Sequence, residues 1–342
     1  MSVLPARPQI SILLPAHNAA DTLDEALASL SAQTLTEWEC LLVDDGSTDA
    51  TPELAAAWSR RDRRVRLLRH ARRQGIVGAL THAAAEARAP VLARQDADDR
   101  SHPQRLARTL ALLQSDARLG AVASQVRLFP AEALGAGLRV YAEWLNAALS
   151  PQEIARDLWI ESPLPHPAVL MRREAYDACG GYREVPWPED YDLWLRLHNR
   201  GWRFAKVAAA LYEWRHHGGR LTFRDPRYRP AAFLACKLQH LAPRLQRHRL
   251  LIWGAGRDGR RLARALRARR LEPSAFIDID PRKIGRRRLG CPVLAPEALA
   301  TQSAGTGTLL LVAVGTRGAR ALIRARLADL GRQEGRDFLC LH

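Results

Sequence analysis

The residues of this chain best suited to chemistry are carboxylates, and they come in clusters. One runs Asp44-Asp45-Gly46-Ser47-Thr48-Asp49, a second Gln95-Asp96-Ala97-Asp98-Asp99, a third Glu189-Asp190-Tyr191-Asp192. Such side chains cap turns and helices, or they hold a divalent cation and the polar parts of a nucleotide. A carboxylate can also take the proton of a hydroxyl whose pKa lies far above 7. The spacing Asp-x-Asp does not choose between these roles, because it recurs at Asp96/Asp98, Asp190/Asp192 and Asp278/Asp280. Taken singly, each pair reads first as turn chemistry; the clusters gain meaning from the elements that carry them.

Those elements alternate. Ile10 to Leu14 is an apolar run ended by Pro15, the pattern of a buried strand. Leu23, Leu27 and Leu30 then share one helix face, with Asp21 or Thr22 placed to cap it. The spacing predicts a strand over 39–43, a helix opened by Thr51-Pro52 with Thr51 as N-cap, a strand over 65–68, a helix over 76–87 and a strand over 91–93. This order predicts a mostly parallel sheet covered by helices. Ligands of such sheets sit at the carboxyl ends of the strands, where the first two acidic clusters fall. Beyond Pro151 prolines break the alternation into short pieces, and a helix is expected from about Glu189.

Read together, the motifs form an ordered series. It runs from Pro15-Ala-His-Asn18, through Asp44-Asp45-Gly46-Ser47 and Arg94-Gln-Asp96-Ala-Asp98-Asp99, to Pro103-x-Arg105-Leu106, His166-Pro167, Gly180-Gly181-Tyr182 and Glu189-Asp190-Tyr191-Asp192-Leu-Trp194. This series, over residues 8 to about 222, resembles the inverting glycosyltransferases of family 2, which have the GT-A fold. The resemblance implies transfer of a sugar from a nucleotide-diphosphate donor, with UDP the commonest, to an acceptor hydroxyl, in cell-surface polysaccharide or glycan synthesis. It implies that Asp45 accepts a hydrogen bond from the base, with Pro15 and Asn18 lining the same pocket. Asp96 falls near the ribose and Asp98 on a metal, and a hard Mg²⁺ or Mn²⁺ suits such oxygen ligands. Asp190 takes the place of the catalytic base, with Glu189 orienting it or the acceptor. The chain departs from the family at His17, where an aromatic is usual, and in Trp214-Arg215-His216-His217, where Tyr-Arg-x-His is usual. Arg215 and His217 fit that spacing best, for a phosphate contact and a metal ligand; His216 is the alternative ligand, and a site without either histidine is the third reading.

From Leu250 a second alternation begins. Gly254-Ala-Gly256-Arg-Asp-Gly259 follows a predicted strand and opens a predicted helix, and Asp278 stands at the end of the next strand, the context of a phosphate-binding turn with a ribose-contacting acid. This tail resembles the small Rossmann-like domains appended to some sugar-modifying enzymes. It is too short for two mononucleotide halves and lacks a Tyr-x-x-x-Lys pair, so NAD(P) is not expected as a cofactor. The expected organisation is a GT-A domain over 1–225, a basic helical connector over 226–248 and a Rossmann-like domain over 249–342. The rival readings are an NAD(P)-dependent sugar-modifying enzyme acting through the tail and a non-catalytic sugar-nucleotide-binding scaffold.

Composition bounds the rest. The 342 residues carry a net charge of +16, and only three of the 52 cations are lysine: Lys206, Lys237 and Lys283. An excess of arginine and alanine over lysine is what a GC-rich genome imposes on solvated positions. The basic residues are spread along the chain with no recognisable nucleic-acid module, which argues against a nucleic-acid partner. The expected partners are a nucleotide sugar and a glycan or lipid-linked acceptor. The surplus charge is compatible with peripheral contact to an anionic membrane, and self-association is compatible with the sequence. Neither a signal peptide nor an apolar run of membrane-spanning length is evident, so a cytoplasmic protein is expected. The five cysteines are odd in number and scattered, the pattern of reduced packing residues.

Overall fold

The computed structural model describes residues 8–300 and 307–342. They form two compact units: residues 8–155 with 163–225, and residues 156–162 with 226–342.

The first unit holds strands β1 (Ile10–Ala16), β2 (Trp38–Asp45), β3 (Val65–His70), β4 (Val91–Arg94), β5 (Arg100–Ser101), β6 (Leu119–Phe129), β7 (Leu170–Arg172) and β8 (Arg203–Arg215). They make one sheet in the order β3-β2-β1-β4-β7-β6-β8-β5. β3, β2, β1 and β4 are parallel neighbours, β7 is antiparallel to both β4 and β6, β8 is parallel to β6, and β5 is antiparallel to β8. Helices α1 (Leu23–Ser31), α2 (Thr51–Arg61), α3 (Gly75–Glu86), α4 (Arg105–Ser115), α5 (Ala136–Ala147), α6 (Pro151–Asp157), α7 (Arg173–Ala178), α8 (Glu189–Asn199) and α9 (Leu221–Arg224) connect them. β1 is buried on both faces: Ile10, Ile12 and Leu14 on one face are fully buried in a cluster with Leu23, Leu27 and Leu30 of α1 and Leu106 and Leu110 of α4, and Ser11 and Leu13 on the other face are fully buried as well.

Two local expectations are corrected. Thr22 sits at the N-cap of α1 but makes no side-chain cap bond. Thr51 lies inside α2, whose N-cap is Ala50, and its hydroxyl instead accepts the amide of Ala19 at 2.8 Å, tying the loop after β1 to the start of α2. The sequence also hid β8. Its Val207-Ala208-Ala209-Ala210 stretch favours helix, but a long parallel pairing with β6 overrides that preference.

In the second unit, β9 (Arg249–Trp253), β10 (Pro273–Ile277), β11 (Arg287–Arg288), β12 (Cys291–Leu294), β13 (Thr308–Val312) and β14 (Phe338–Cys340) form a sheet in the order β11-β12-β10-β9-β13-β14. All pairings are parallel except the hairpin of β11 with β12. Strand order reverses between β9 and β13, the doubly wound arrangement, and this second sheet is consistent with an additional domain. Helices α10 (Pro230–Leu245), α11 (Arg257–Arg267) and α12 (Ala319–Asp329) belong to this unit. Among the described residues no helix is long and apolar enough to cross a membrane. All five cysteines are buried and free.

One buried carboxylate locks the parallel half of the first sheet. Glu39 on β2 accepts Ser11 Oγ of β1 at 2.7 Å, the Arg88 amide at 2.8 Å, Arg88 Nε at 2.8 Å and Arg66 Nη1 of β3 at 3.0 Å. Burial works to raise its carboxyl, and the bonds from Arg88, Ser11 and Arg66 outweigh it, holding Glu39 below its ordinary value of 4.5. A group with a depressed folded-state pKa stabilises the fold above its unfolded pKa and loses that contribution as pH falls through the folded value. Glu39→Gln is therefore expected to cost about 2 kcal/mol at neutral pH. The gap between the two melting curves should close as pH drops below about 4.5, and a gap that stays constant from pH 7 to pH 3 would contradict this account.

Candidate active site

The site lies at the carboxyl ends of β1, β2 and β4. Asp45, the last residue of β2, is 4% exposed. Its Oδ1 accepts the Gln74 amide at 2.7 Å and its Oδ2 the Gly75 amide at 2.8 Å, while His70 Nδ1 lies 2.7 Å from Oδ1. The segment 72–75 reaches Asp45 only by passing over Gly46, whose φ is +66°. A Cβ there would stand 2.6 Å from the Arg73 amide nitrogen. The loop after β1 closes the other side. Asn18, itself left-handed at φ 50°, donates its amide to Ser47 Oγ at 3.0 Å and accepts the Thr48 amide at 2.9 Å. His17 Nδ1 lies 2.9 Å from the Asp45 carbonyl oxygen. Pro15 lies within β1 opposite Val43. The structure thus gathers Pro15, His17, Asn18 and Asp45 at one corner.

The second cluster is held from beneath. Gln95 is fully buried and its Nε2 donates to the carbonyls of Asp96 and Asp99 at 3.1 and 3.0 Å, while its Oε1 accepts Ser101 Oγ at 2.7 Å. Arg105, fully buried on α4, donates to the Arg94 carbonyl at 3.0 Å, and burial draws its guanidinium down to about 10. On this support one oxygen each from Asp96, Asp98 and Asp99 comes within 4.8 Å of the others. Asp96 is ion-paired with the buried Arg94, and Arg220 Nη2 approaches it to 3.9 Å. Asp98 Oδ2 lies 2.9 Å from His217 Nε2. Asp99 is fully buried and accepts the Arg215 amide at 2.7 Å. Burial, reinforced by the charges of Asp96 and Asp98, pushes its carboxyl well above the usual range. Three hard oxygen donors this close fit a Mg²⁺- or Mn²⁺-sized cation, whose charge would offset their mutual repulsion.

Of the two histidines, His217 Nε2 lies beside Asp98, whereas the His216 ring packs edge-on against Phe223 with centroids 5.4 Å apart. Arg215 is turned into the scaffold: Nε donates to the Asp98 carbonyl at 2.7 Å, Nη2 pairs with Glu25, and the guanidinium lies 4.4 Å from the centre of the Phe129 ring.

Glu189 and Asp190 open α8. Glu189 is buried, and Asp190 Oδ1 accepts the amide of Tyr191 at 2.8 Å. Both bear electrostatically on the Tyr182 hydroxyl, which burial pushes well up against the pull of Arg94, with Tyr176, Glu189 and Asp190 adding to the rise. That hydroxyl lies 2.8 Å from His166 Nε2, and burial with the charge of Arg94 holds His166 well below its ordinary value, so it is neutral. The charge of Arg94, the ion-pair partner of Asp96, therefore acts on the same His166–Tyr182 pair as Glu189 and Asp190 do. Asp192 is not available for the same work: it accepts Arg196 Nε at 2.7 Å and Trp187 Nε1 at 3.0 Å, and Arg196 in turn holds the carbonyls of Cys179 and Gly181. Sequence reasoning missed Arg220 and His70 as neighbours of the site, and it quoted Arg94 and Tyr182 within its motifs without giving either a role.

The model of Glycosyl transferase family 2 matches residues 11–180. A putative glycosyltransferase of Bacillus subtilis, EpsE, is 31% identical over 210 residues, covering 60% of this chain and 72% of that protein. The chain belongs to glycosyltransferase family 2. A further relative is a beta-monoglucosyldiacylglycerol synthase of Nostoc, 28% identical over 57% of this chain and 42% of its own length. Among solved structures the family fold is matched by Staphylococcus aureus TarS 1-349 in complex with UDP-GlcNAc, at 16% identity and TM-score 0.57, over 75% of this chain and 71% of that one. The mannosyltransferase PcManGT of Pyrobaculum calidifontis, in complex with GDP-Man and Mn²⁺, matches at 20% identity and TM-score 0.53, over 70% and 65%. The GT-A arrangement expected for this family 2 chain is thereby found.

In the second unit the glycine-rich turn joins β9 to α11, and Asp278 at the end of β10 accepts the Ala255 amide at 2.8 Å and the Asp280 amide at 3.0 Å, with Lys283 Nζ 3.2 Å away. Gly254, at φ +108°, is pressed against Ala313 and Val314, Gly259 against the Gly254 carbonyl, and Gly256 faces open space.

The Gly46 crossing yields a direct test. Gly46→Ala is expected to cost at least about 1 kcal/mol from the left-handed backbone alone, with a further loss as segment 72–75 moves off Asp45. Hydrogen exchange should show the Gln74 and Gly75 amides protected in the parent protein and released in the variant. Unchanged protection would mean that Asp45 does not hold these amides.

Proposed function

We propose that this chain transfers a sugar, with inversion and with a divalent metal, from a nucleoside-diphosphate sugar to the hydroxyl of a glycan or lipid-linked acceptor, in cell-surface polysaccharide or glycolipid synthesis. The observation that carries the reading is the convergence of the Asp96, Asp98 and Asp99 oxygens within 4.8 Å, at the same sheet edge as the Asp45 corner. Family membership supports it, as do a relative named for glucosyldiacylglycerol synthesis and fold neighbours that hold UDP-GlcNAc or GDP-Man with Mn²⁺. UDP is the donor nucleotide we favour.

In this reading Asp45 receives the base, between Pro15 and Asn18, and Asp96 receives the ribose. Asp98 and His217 hold Mg²⁺ or Mn²⁺. The metal supplies Lewis-acid stabilisation of negative charge on the leaving diphosphate. Arg215 keeps the Asp98–Asp99 turn facing that charge. Asp190 takes the acceptor's proton as the acceptor oxygen bonds to the anomeric carbon and the bond to the diphosphate breaks. Buried Glu189 positions Asp190 or the acceptor.

Two substitutions separate these roles. Asp190→Asn should lower kcat for metal-dependent release of nucleoside diphosphate by about a hundredfold or more, with donor binding kept. Asp98→Asn should shift the Mn²⁺ activation midpoint to higher concentration. An Asp190→Asn enzyme with parental kcat would remove Asp190 from the reaction, and parental turnover in EDTA would remove the metal.

A further inference from the structure

Behind Asp45 stands a pair of histidines that the reaction scheme does not use. His70 ends β3 directly opposite Asp45 in the strand register. It is 9% exposed, with Nδ1 2.7 Å from Asp45 Oδ1 and Nε2 2.9 Å from Nδ1 of the half-buried His82 on α3. The two rings lie nearly parallel, with centroids 5.0 Å apart and planes inclined by 13°. An ionised carboxylate only accepts, so the proton between Asp45 and His70 belongs to His70 Nδ1. In the neutral pair His70 Nε2 is then an acceptor, and His82 must carry its proton on Nδ1. The hydrogen bonds thus fix the tautomers of both rings.

The same bonds fix where Asp45 can still accept. A carboxylate has about four lone-pair positions. Oδ1 receives His70 Nδ1 and the Gln74 amide, and Oδ2 receives the Gly75 amide, which leaves a position on Oδ2. The two amides sit at the very start of α3, Gln74 as its N-cap and Gly75 as its first residue, whereas His70 and His82 stand within β3 and α3. Without the histidines those two amides alone would set the carboxylate plane.

We propose that His70 and His82 are positioning residues that hold the Asp45 carboxylate so that its remaining acceptor position on Oδ2 meets a ring N–H of the donor's nucleobase. This rests on the reading above in which Asp45 receives the base. The pair acts on binding of the nucleotide and not on the bond-breaking step, so it moves KM and leaves kcat.

The test uses the full chain and binding of UDP, TDP and GDP by calorimetry, alongside donor kinetics. His70→Ala is expected to weaken binding of the preferred diphosphate about tenfold and to raise donor KM by the same factor, with kcat within about twofold. His70→Asn, whose amide N–H can replace Nδ1–H, should restore most of the affinity, and His82→Ala should give a smaller loss of the same kind. Nitrogen-15 spectra of the parent should show both rings protonated on Nδ1. Parental affinity in His70→Ala, or a fall in kcat at constant KM, would overturn the proposal. If His70→Ala does not fold, the same comparison between His82→Ala and the parent decides. A parent that binds none of the three diphosphates would overturn the functional reading itself, an outcome distinct from a parent that binds and a variant that binds equally.

Discussion

A carboxylate taken out of water must be met by a cation or by N–H donors, and the first unit is organised around that requirement. Its acids lie at or just beyond strand ends. Glu39 is met by Arg88 and Arg66, Asp45 by the amides of Gln74 and Gly75 at the start of α3 and Asp99 by the amide of Arg215 at the end of β8, while Asp96 pairs with Arg94, the last residue of its own strand. An unpaired buried charge costs several kcal/mol, so these pairings fix where the loops run. Part of the arginine surplus is spoken for inside the fold, since Arg94 and Arg105 are buried under the acidic turn.

The balance differs between the two acidic clusters. Asp45 is met by two amides and a histidine. Asp96, Asp98 and Asp99 are crowded together beside two arginines, Arg94 and Arg220, with His217 Nε2 next to Asp98. Burial, with the charges of Asp96 and Asp98 added to it, raises the Asp99 carboxyl. A cation placed among these oxygens would relieve their mutual repulsion.

Much of this was legible in the sequence because it is local. The strands over 10–14, 39–43, 65–68 and 91–93 and the helices that alternate with them follow from apolar periodicity, and the acidic clusters mark strand ends by their position. The rest was written in long-range pairing. β6 and β8 stabilise each other across the chain, and the Ala208-Ala209-Ala210 run disguises β8. His70 becomes part of the site only through its register with Asp45, 25 residues away, and Arg220 only through a turn that brings it back over Asp96. The expected caps failed for the same reason: Thr51 serves a loop in another part of the chain.

The second unit shows how a motif can be legible and still say little about a ligand. Of the three glycines in Gly254-Ala-Gly256-Arg-Asp-Gly259, Gly254 and Gly259 are accounted for by packing: a side chain at either would meet the backbone of Ala313 or of Gly254 at 2.9 Å or less. Only Gly256 opens onto free space, where a phosphate would need backbone access. Asp278, in the place of a ribose-contacting acid, uses both oxygens to fix the turn and the following loop, with Lys283 against them. A ribose would have to compete with that lysine for the carboxylate. The turn, the acid and the strand order therefore follow from joining β9, α11 and β10 in a doubly wound sheet, and a nucleotide at this place would have to be demonstrated by binding to the intact chain with the Asp45 corner disabled.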